Sequence, residues 1–220
     1  GGNYVVETAT ADFVISTSAQ APLEIVNKPG LVHYGDTFTL SAVGGSGDGK
    51  VTWSSAPAGI VEIDANGFVK VVGVGSATIT ATKPGGGNYD TMTADYPLNA
   101  LQKPITAIAT AKDRVYKAGD ASAELIISWK PGDLVGSDTI DTSNITGQFK
   151  DDSAGTGKTV DITGAPVDDA TSQKYAITIP PTTTASILKA DTVAPPITAN
   201  TLTYTGAAQA LVTGGDANTL

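Results

Sequence analysis

Residues 67–83 read GFVKVVGVGSATITATK, and the reading of this stretch decides the fold. In its second half Ala77, Ile79 and Ala81 alternate with Ser76, Thr78, Thr80 and Thr82. A period of two sets small apolar groups on one face and hydroxyls on the other. β-Branched residues lose rotamer freedom in a helix but fit a pleated surface. The stretch therefore predicts two strands joined by a tight Gly-Val-Gly turn at 73–75. Its Ala/Ile face needs a second sheet over it, while its hydroxyl face can meet water. The expectation is an all-β, two-layer antiparallel sandwich, with no significant helix.

The composition agrees. Of 220 residues, 40% are apolar, 16% charged and 6% aromatic, and mean hydropathy is +0.03, which suits many short strands around a real core. The net charge of −9, with only 13 Lys and Arg scattered along the chain, argues against nucleic acid as a partner. There is no cysteine, so disulfides, thiolate metal sites and cysteine nucleophiles are excluded. No run of about 18 apolar residues occurs, so no membrane span is expected.

Internal repetition sets the domain parse. GGNYVVETATADF at 1–13 is echoed by GGNYDTMTADY at 86–96. A Gln-x-Pro-aliphatic step follows each, at Gln20, Pro22, Leu23 and at Gln102, Pro104, Ile105; Pro-Ile-Thr-Ala stands at 104–107 and again at 196–199. The aligned prolines, Pro22, Pro104 and Pro196, lie 82 and then 92 residues apart, the length of one sandwich. Four pieces are expected: 1–20 as the closing strand of a preceding repeat, 21–102 and 103–190 as complete sandwiches, and 191–220 as the opening strands of a following repeat. That makes the chain a slice of a tandem array. Its exposed strand edges at the two ends should pair with one another, within or between chains.

In the first complete module strands are expected at 22–26, 36–43, 50–55, 60–64, 67–72, 75–83 and 91–100. GGSGDG at 44–49 offers a hairpin, and Asn66-Gly67 a type I′ turn. Phe38, Leu40 and Ala42 share one face of their strand, as do Val51 and Trp53 of theirs. In the second module strands are expected near 105–110, 121–129, 144–150, 158–164, 174–180 and 182–189, with Trp129 as its large anchor.

These residues carry a resemblance. YGDTFTLSA at 34–42, VTWSS at 51–55 and IVEIDANGFVKVVGVGSATITATK at 60–83 resemble the bacterial Ig-like group 2 domain of invasin- and intimin-type surface proteins. The second module is similar to the YDG repeats of bacterial surface proteins through Asp113-Arg114-Val115-Tyr116, GTGKTV at 155–160 and Tyr175-x-Ile177. It departs from them at Lys117-Ala118-Gly119, where the motif that names the family should stand. NTLTYTGAAQALV at 200–212 looks like the start of another such repeat. The resemblance implies non-catalytic sandwiches on the extracellular bacterial surface, with neighbouring repeats of the same chain as partners. It implies a spacer or an adhesive module gripping a host protein or glycan.

Residues that imitate chemistry have plainer readings. GGSGDGKV at 44–51 matches a phosphate-loop pattern but has Val51 in place of the magnesium-holding hydroxyl; DSAGTGKT at 152–159 has Asp152 where its first glycine belongs. Strands follow both, so no helix N-terminus awaits an anion. The lone His33 reads as an exposed turn residue. Asp133, Asp138, Asp141, Asp151-Asp152 and Asp168-Asp169 lack calcium-loop spacing and read as solvated loop charge. Asn144-Ile145-Thr146 is a chance sequon, and Lys70 falls on an outward phase, unsuited to a Lys–Asn amide crosslink. Tyr34, Tyr89 and Tyr116 are the candidates for stacking a sugar, if two share an exposed face. No catalytic residue, cofactor or metal ligand is expected, and an enzyme is the least favoured class.

Overall fold

The computed structural model describes residues 16–191, the pairs 198–199 and 212–213, and Gly2 and Gly206. Its strands are β1 (Leu23–Val26), β2 (Val32–His33), β3 (Thr37–Thr39), β4 (Ser41–Gly44), β5 (Thr52–Ala56), β6 (Val61–Ile63), β7 (Phe68–Val71), β8 (Gly75–Lys83) and β9 (Met92–Leu101). They continue with β10 (Lys103–Thr106), β11 (Ile108–Ala111), β12 (Arg114–Val115), β13 (Ser122–Ala123), β14 (Leu125–Ser128), β15 (Thr146–Phe149), β16 (Gly155–Thr163), β17 (Tyr175–Thr178) and β18 (Thr182–Leu188). The pieces β19 (Thr198–Ala199) and β20 (Val212–Thr213) pair antiparallel. Among the described residues one 3-10 turn, Ser172–Lys174, interrupts an otherwise all-strand chain.

The chain divides into two compact units. The first comprises 1–109, 127–145 and 164–180; the second comprises 110–126, 146–163 and 181–220. The boundary expected at residue 102 falls inside the first unit.

In the first unit β8 is the organising strand. It pairs antiparallel with β5, Trp53 opposite Ala81, and with β9, Ile79 opposite Tyr96. Ala77, Ile79 and Ala81 are buried, while Thr80 Oγ1 on the other face bonds Asp95 at 2.7 Å among exposed groups. The apolar face packs on Val61, Val69 and Val71 from the sheet β3-β7-β6, together with Leu23, Ile25, Leu40 and Leu98. Phe38, Ala42, Val51 and Trp53 lie partly buried against this core, as their phases predict.

Four local expectations are corrected. Gly73-Val74-Gly75 does not close a hairpin: β7 and β8 belong to different sheets, so the turn carries the chain across the core. A Cβ at Gly73 would lie 2.2 Å from Gly59 O, so only glycine fits this crossing. The glycine loop after β4 likewise crosses between sheets rather than closing a hairpin. At Asn66-Gly67 only Gly67 has positive φ, 82°, which is not a type I′ turn. The Asp64 carboxylate builds this turn by accepting the Asn66 and Phe68 amides at 2.8 and 2.9 Å, and these bonds lower its pKa. Finally, the strand expected over 36–43 breaks at Leu40, whose amide donates to Gly67 O.

The second unit holds the sheet β12-β18-β16-β15-β13 around Phe149, Val160, Ala185 and Ile187. Phe149 is the large anchor here, with the Arg114 guanidinium 5.6 Å from its ring centroid. Trp129, expected in that role, belongs instead to a cluster of the first unit.

The pairing expected between the chain ends falls largely on residues outside those described. Ser18 forms a parallel bridge with Tyr89, its amide bonding Asn88 O.

Ile79 is fully buried, so Ile79→Ala should cost about 2–5 kcal/mol. Thr80→Ala, on the hydroxyl face, should cost under about 1 kcal/mol. Urea unfolding of both variants measures the difference.

Candidate functional site

The site of interest in the first unit begins at Tyr34-Gly35-Asp36, immediately after β2. The Tyr34 amide donates to Leu101 O at 2.9 Å and the Gly35 amide to Val71 O at 3.0 Å. Adjacent residues thus tie the end of β9 in one sheet to the end of the central strand β7 in the other. This backbone geometry aims the Tyr34 ring into a cluster with Ile105 and Tyr175, around which Val74, Trp129, Leu134, Val135, Ile140 and Ile177 pack.

Inside that cluster two phenols share one acceptor. Tyr34 Oη donates to Asp138 Oδ2 at 2.8 Å, and Tyr175 Oη donates to the same oxygen at 2.7 Å. Tyr175 Oη in turn accepts the Val135 amide at 2.8 Å. The rings meet edge to face, with centroids 5.4 Å apart and planes at 89°, the arrangement their quadrupoles favour. Lys174 Nζ stands 4.9 Å from the Tyr34 ring centroid and donates to Tyr34 Oη at 3.5 Å. Burial raises both phenol pKa values first, and the hydrogen bond to the Asp138 carboxylate second. Tyr34 is pushed up to about 12.

Two further devices fix this region. A Cβ on Gly35, whose φ is 85°, would meet Val135 Cγ2 at 2.4 Å, so the Val135 side chain packs directly on a glycine backbone in the left-handed region. Gln20, buried, satisfies its whole side-chain amide. Its Nε2 donates to the carbonyls of Lys83, Pro84 and Asp90, and its Oε1 accepts the Ser46 and Gly47 amides, both at 3.2 Å. Gln102, at the matching place in the repeated Gln-x-Pro step, donates Nε2 to Gln173 O at 2.9 Å.

The residues singled out from sequence fall as follows. Asp138 is no solvated loop charge but the shared acceptor of the cluster. The other acidic residues do organise loops: Asp133 accepts the Lys130 amide, Asp141 the Ser143 amide, Asp152 the Gly119 amide and Asp169 the Thr171 and Ser172 amides, while Asp168 holds Gln173 Nε2. Asp151 is held down to about 2, chiefly by Lys158 and Ser153. Lys158, of the second phosphate-loop look-alike, is thereby engaged by Asp151 and by Ser153 O at 2.6 Å, in a hairpin between β15 and β16.

His33 is not a free turn residue. It lies in β2 with its amide donating to Asp36 Oδ2 at 2.8 Å and Nδ1 3.8 Å from that oxygen. Lys70 is exposed on β7, as its phase predicts. Tyr34 leaves the sugar-stacking candidates because it is buried; Tyr89 and Tyr116 remain exposed, one in each unit. Asn144 is exposed beside buried Ile145. The role of Tyr175 had no local signal, because its partners lie 37 and 141 positions away.

Residues 33–84 match the family model of the intimin immunoglobulin-like domain, and residues 101–186 match that of the YDG domain. Residues 33–84 are thus similar to an intimin-type Ig-like domain and residues 101–186 to a YDG domain, as modules of bacterial surface proteins are. Among solved structures, an intimin mutant from EHEC O157:H7 is 29% identical over 44% of this chain and 53% of its own, with a TM-score of 0.30. The S-layer protein rSbsC(31-844) is 12% identical over 91% of this chain and 37% of its own, with a TM-score of 0.28. The chain thus spans about half the length of the first structure and less of the second. No curated protein matches it.

Asp138→Ala leaves two buried phenol donors without their acceptor and should cost about 2–3 kcal/mol. Asp138→Asn, which keeps an oxygen there, should recover part of that loss; denaturant midpoints of the two variants test this. Because folding raises the Tyr34 pKa, its contribution is complete below pH 10 and declines as pH rises through about 12. The unfolding midpoint should therefore fall across that window, less steeply in Tyr34→Phe.

Proposed function

We propose that the chain is a non-catalytic, force-transmitting spacer of a bacterial cell-surface, adhesin-like protein, holding a terminal domain away from the cell. The observation that carries this reading is a strand arrangement repeated in both units. In each unit a two-residue strand pairs in parallel with the end of a long strand: β2 with β9, Val32 opposite Ala100 and His33 opposite Leu101, and β12 with β18, Arg114 opposite Ile187 and Val115 opposite Leu188. Tyrosine follows in each case, and its amide donates to the carbonyl of the last paired residue, Tyr34 to Leu101 and Tyr116 to Leu188.

Two parallel strands pulled from opposite ends slide along one another. Every hydrogen bond between them then resists at once, where a hairpin pulled at its open end would yield bond by bond. The two domain matches in series and the extracellular surface setting they imply support the same reading. The Tyr34–Asp138–Tyr175 cluster adds a polar lock to the first unit, and the net charge of −9 discourages self-association.

The rival is direct adhesion, with Tyr89 or Tyr116 stacking on a host glycan. Single-molecule pulling and glycan-array binding of the 220-residue chain separate the two. The spacer reading expects discrete unfolding steps under tension, one of them weakened by Asp138→Ala, and no array signal. Array binding that Tyr89→Ala or Tyr116→Ala abolishes would install the adhesive reading instead.

A further inference from the structure

Tyr34 and Tyr116 occupy the same place in their units. Each follows a two-residue strand, lies beyond a parallel pairing with the end of a long strand, and bonds through its amide to the final carbonyl of that strand. Their surroundings differ. Tyr34 is 6% exposed, covered by Ile105 and its neighbours, and Ile105 belongs to the segment Pro104-Ile105-Thr106-Ala107 just beyond Leu101. Tyr116 is 39% exposed, and beside it Val115 and Leu188 are 57% and 49% exposed. Three large apolar side chains thus stand open in the second unit at the point where the chain leaves β18.

The four-residue segment that carries Ile105, the residue packed with Tyr34, recurs beyond Leu188 as Pro196-Ile197-Thr198-Ala199. In the first copy Ile105 and Ala107 are both 4% exposed. Ile197 lies nine positions beyond Leu188, a reach of up to roughly 30 Å. That is ample to return to Tyr116, whose amide is bonded to Leu188 itself.

We propose that Val115, Tyr116 and Leu188 form the docking surface for residues 196–199, with Ile197 seated on Tyr116 as Ile105 is seated against Tyr34. The surface serves the chain's own continuation, making a second joint of the kind built around Tyr34. The inference rests on reading the chain as a serial spacer, but it concerns a local contact that pulling and glycan binding do not probe.

The absence of cysteine gives a clean background for the test. In the full chain, Tyr116→Cys combined with Ile197→Cys should form an intramolecular disulfide several-fold faster than Tyr116→Cys combined with Ser143→Cys, read as the loss of two hydrogens by intact mass. The single variant Tyr116→Cys should react with a maleimide several-fold more slowly than Ser143→Cys, at an exposed position, and adding Ile197→Asp should remove that protection. Equal disulfide rates for the two pairs, or labelling at position 116 as fast as at 143, would overturn the proposal. So would disulfides formed chiefly between chains, which would assign the surface to a second copy. If Ile197→Asp unfolds the chain, the disulfide pair and the single-cysteine comparison still decide the matter.

Discussion

One carboxylate oxygen, Asp138 Oδ2, accepts hydrogen bonds from two buried phenols that come from positions 34 and 175. Neither phenol could lie so deep without it, since a buried hydroxyl lacking a partner costs more than its bond returns. Around this acceptor the rest of the region falls into place. The Val135–Asp138 turn is drawn onto Tyr175, Gly35 closes against Val135, and the segment carrying Ile105 is held on the Tyr34 ring. The polar center fixes the geometry and the apolar rim excludes water from it.

The same economy of means runs through the sandwiches. The first unit closes its core with aliphatic side chains from three sheets, and the strand β8 supplies only alanine and isoleucine to it. Small residues at that face allow the sheets to approach closely, and the larger Val69, Val71 and Leu40 fill the space opposite. The second unit has less to bury, and Phe149 with its overlying guanidinium does the work that a tryptophan does elsewhere. Loops are ordered chiefly by carboxylates accepting amides two or three residues ahead, which explains why so many aspartates sit in turns without any metal-ligand spacing.

The strands were legible in the sequence because alternation is a local signal. Ala77, Ile79 and Ala81 declared their buried face, and Phe38, Leu40 and Ala42 theirs. Which sheet a strand joins is not local. The glycine-rich turns at 44–49 and 73–75 look like hairpins, yet each links strands of different sheets, because the core they span is fixed by residues far away. The site was less legible still. Tyr34 could be named as notable, but its burial depends on Asp138 and Tyr175, and a lone aspartate in a Ser-Asp-Thr loop carries no mark of its partners. Trp129 misled for the same reason: its size foretold burial, but not which cluster would take it in.

The scattered origin of the tyrosine cluster bears on what a cut within the chain would cost. A recombination event cutting at residue 102 would transplant Tyr34 together with a complete sequence repeat, yet leave Asp138, Lys174 and Tyr175 behind in the donor. The transplanted phenol would meet a stranger lacking its acceptor. The cluster therefore survives only where the stretch carrying Tyr34 and the stretch carrying Asp138 and Tyr175 stay together in one chain.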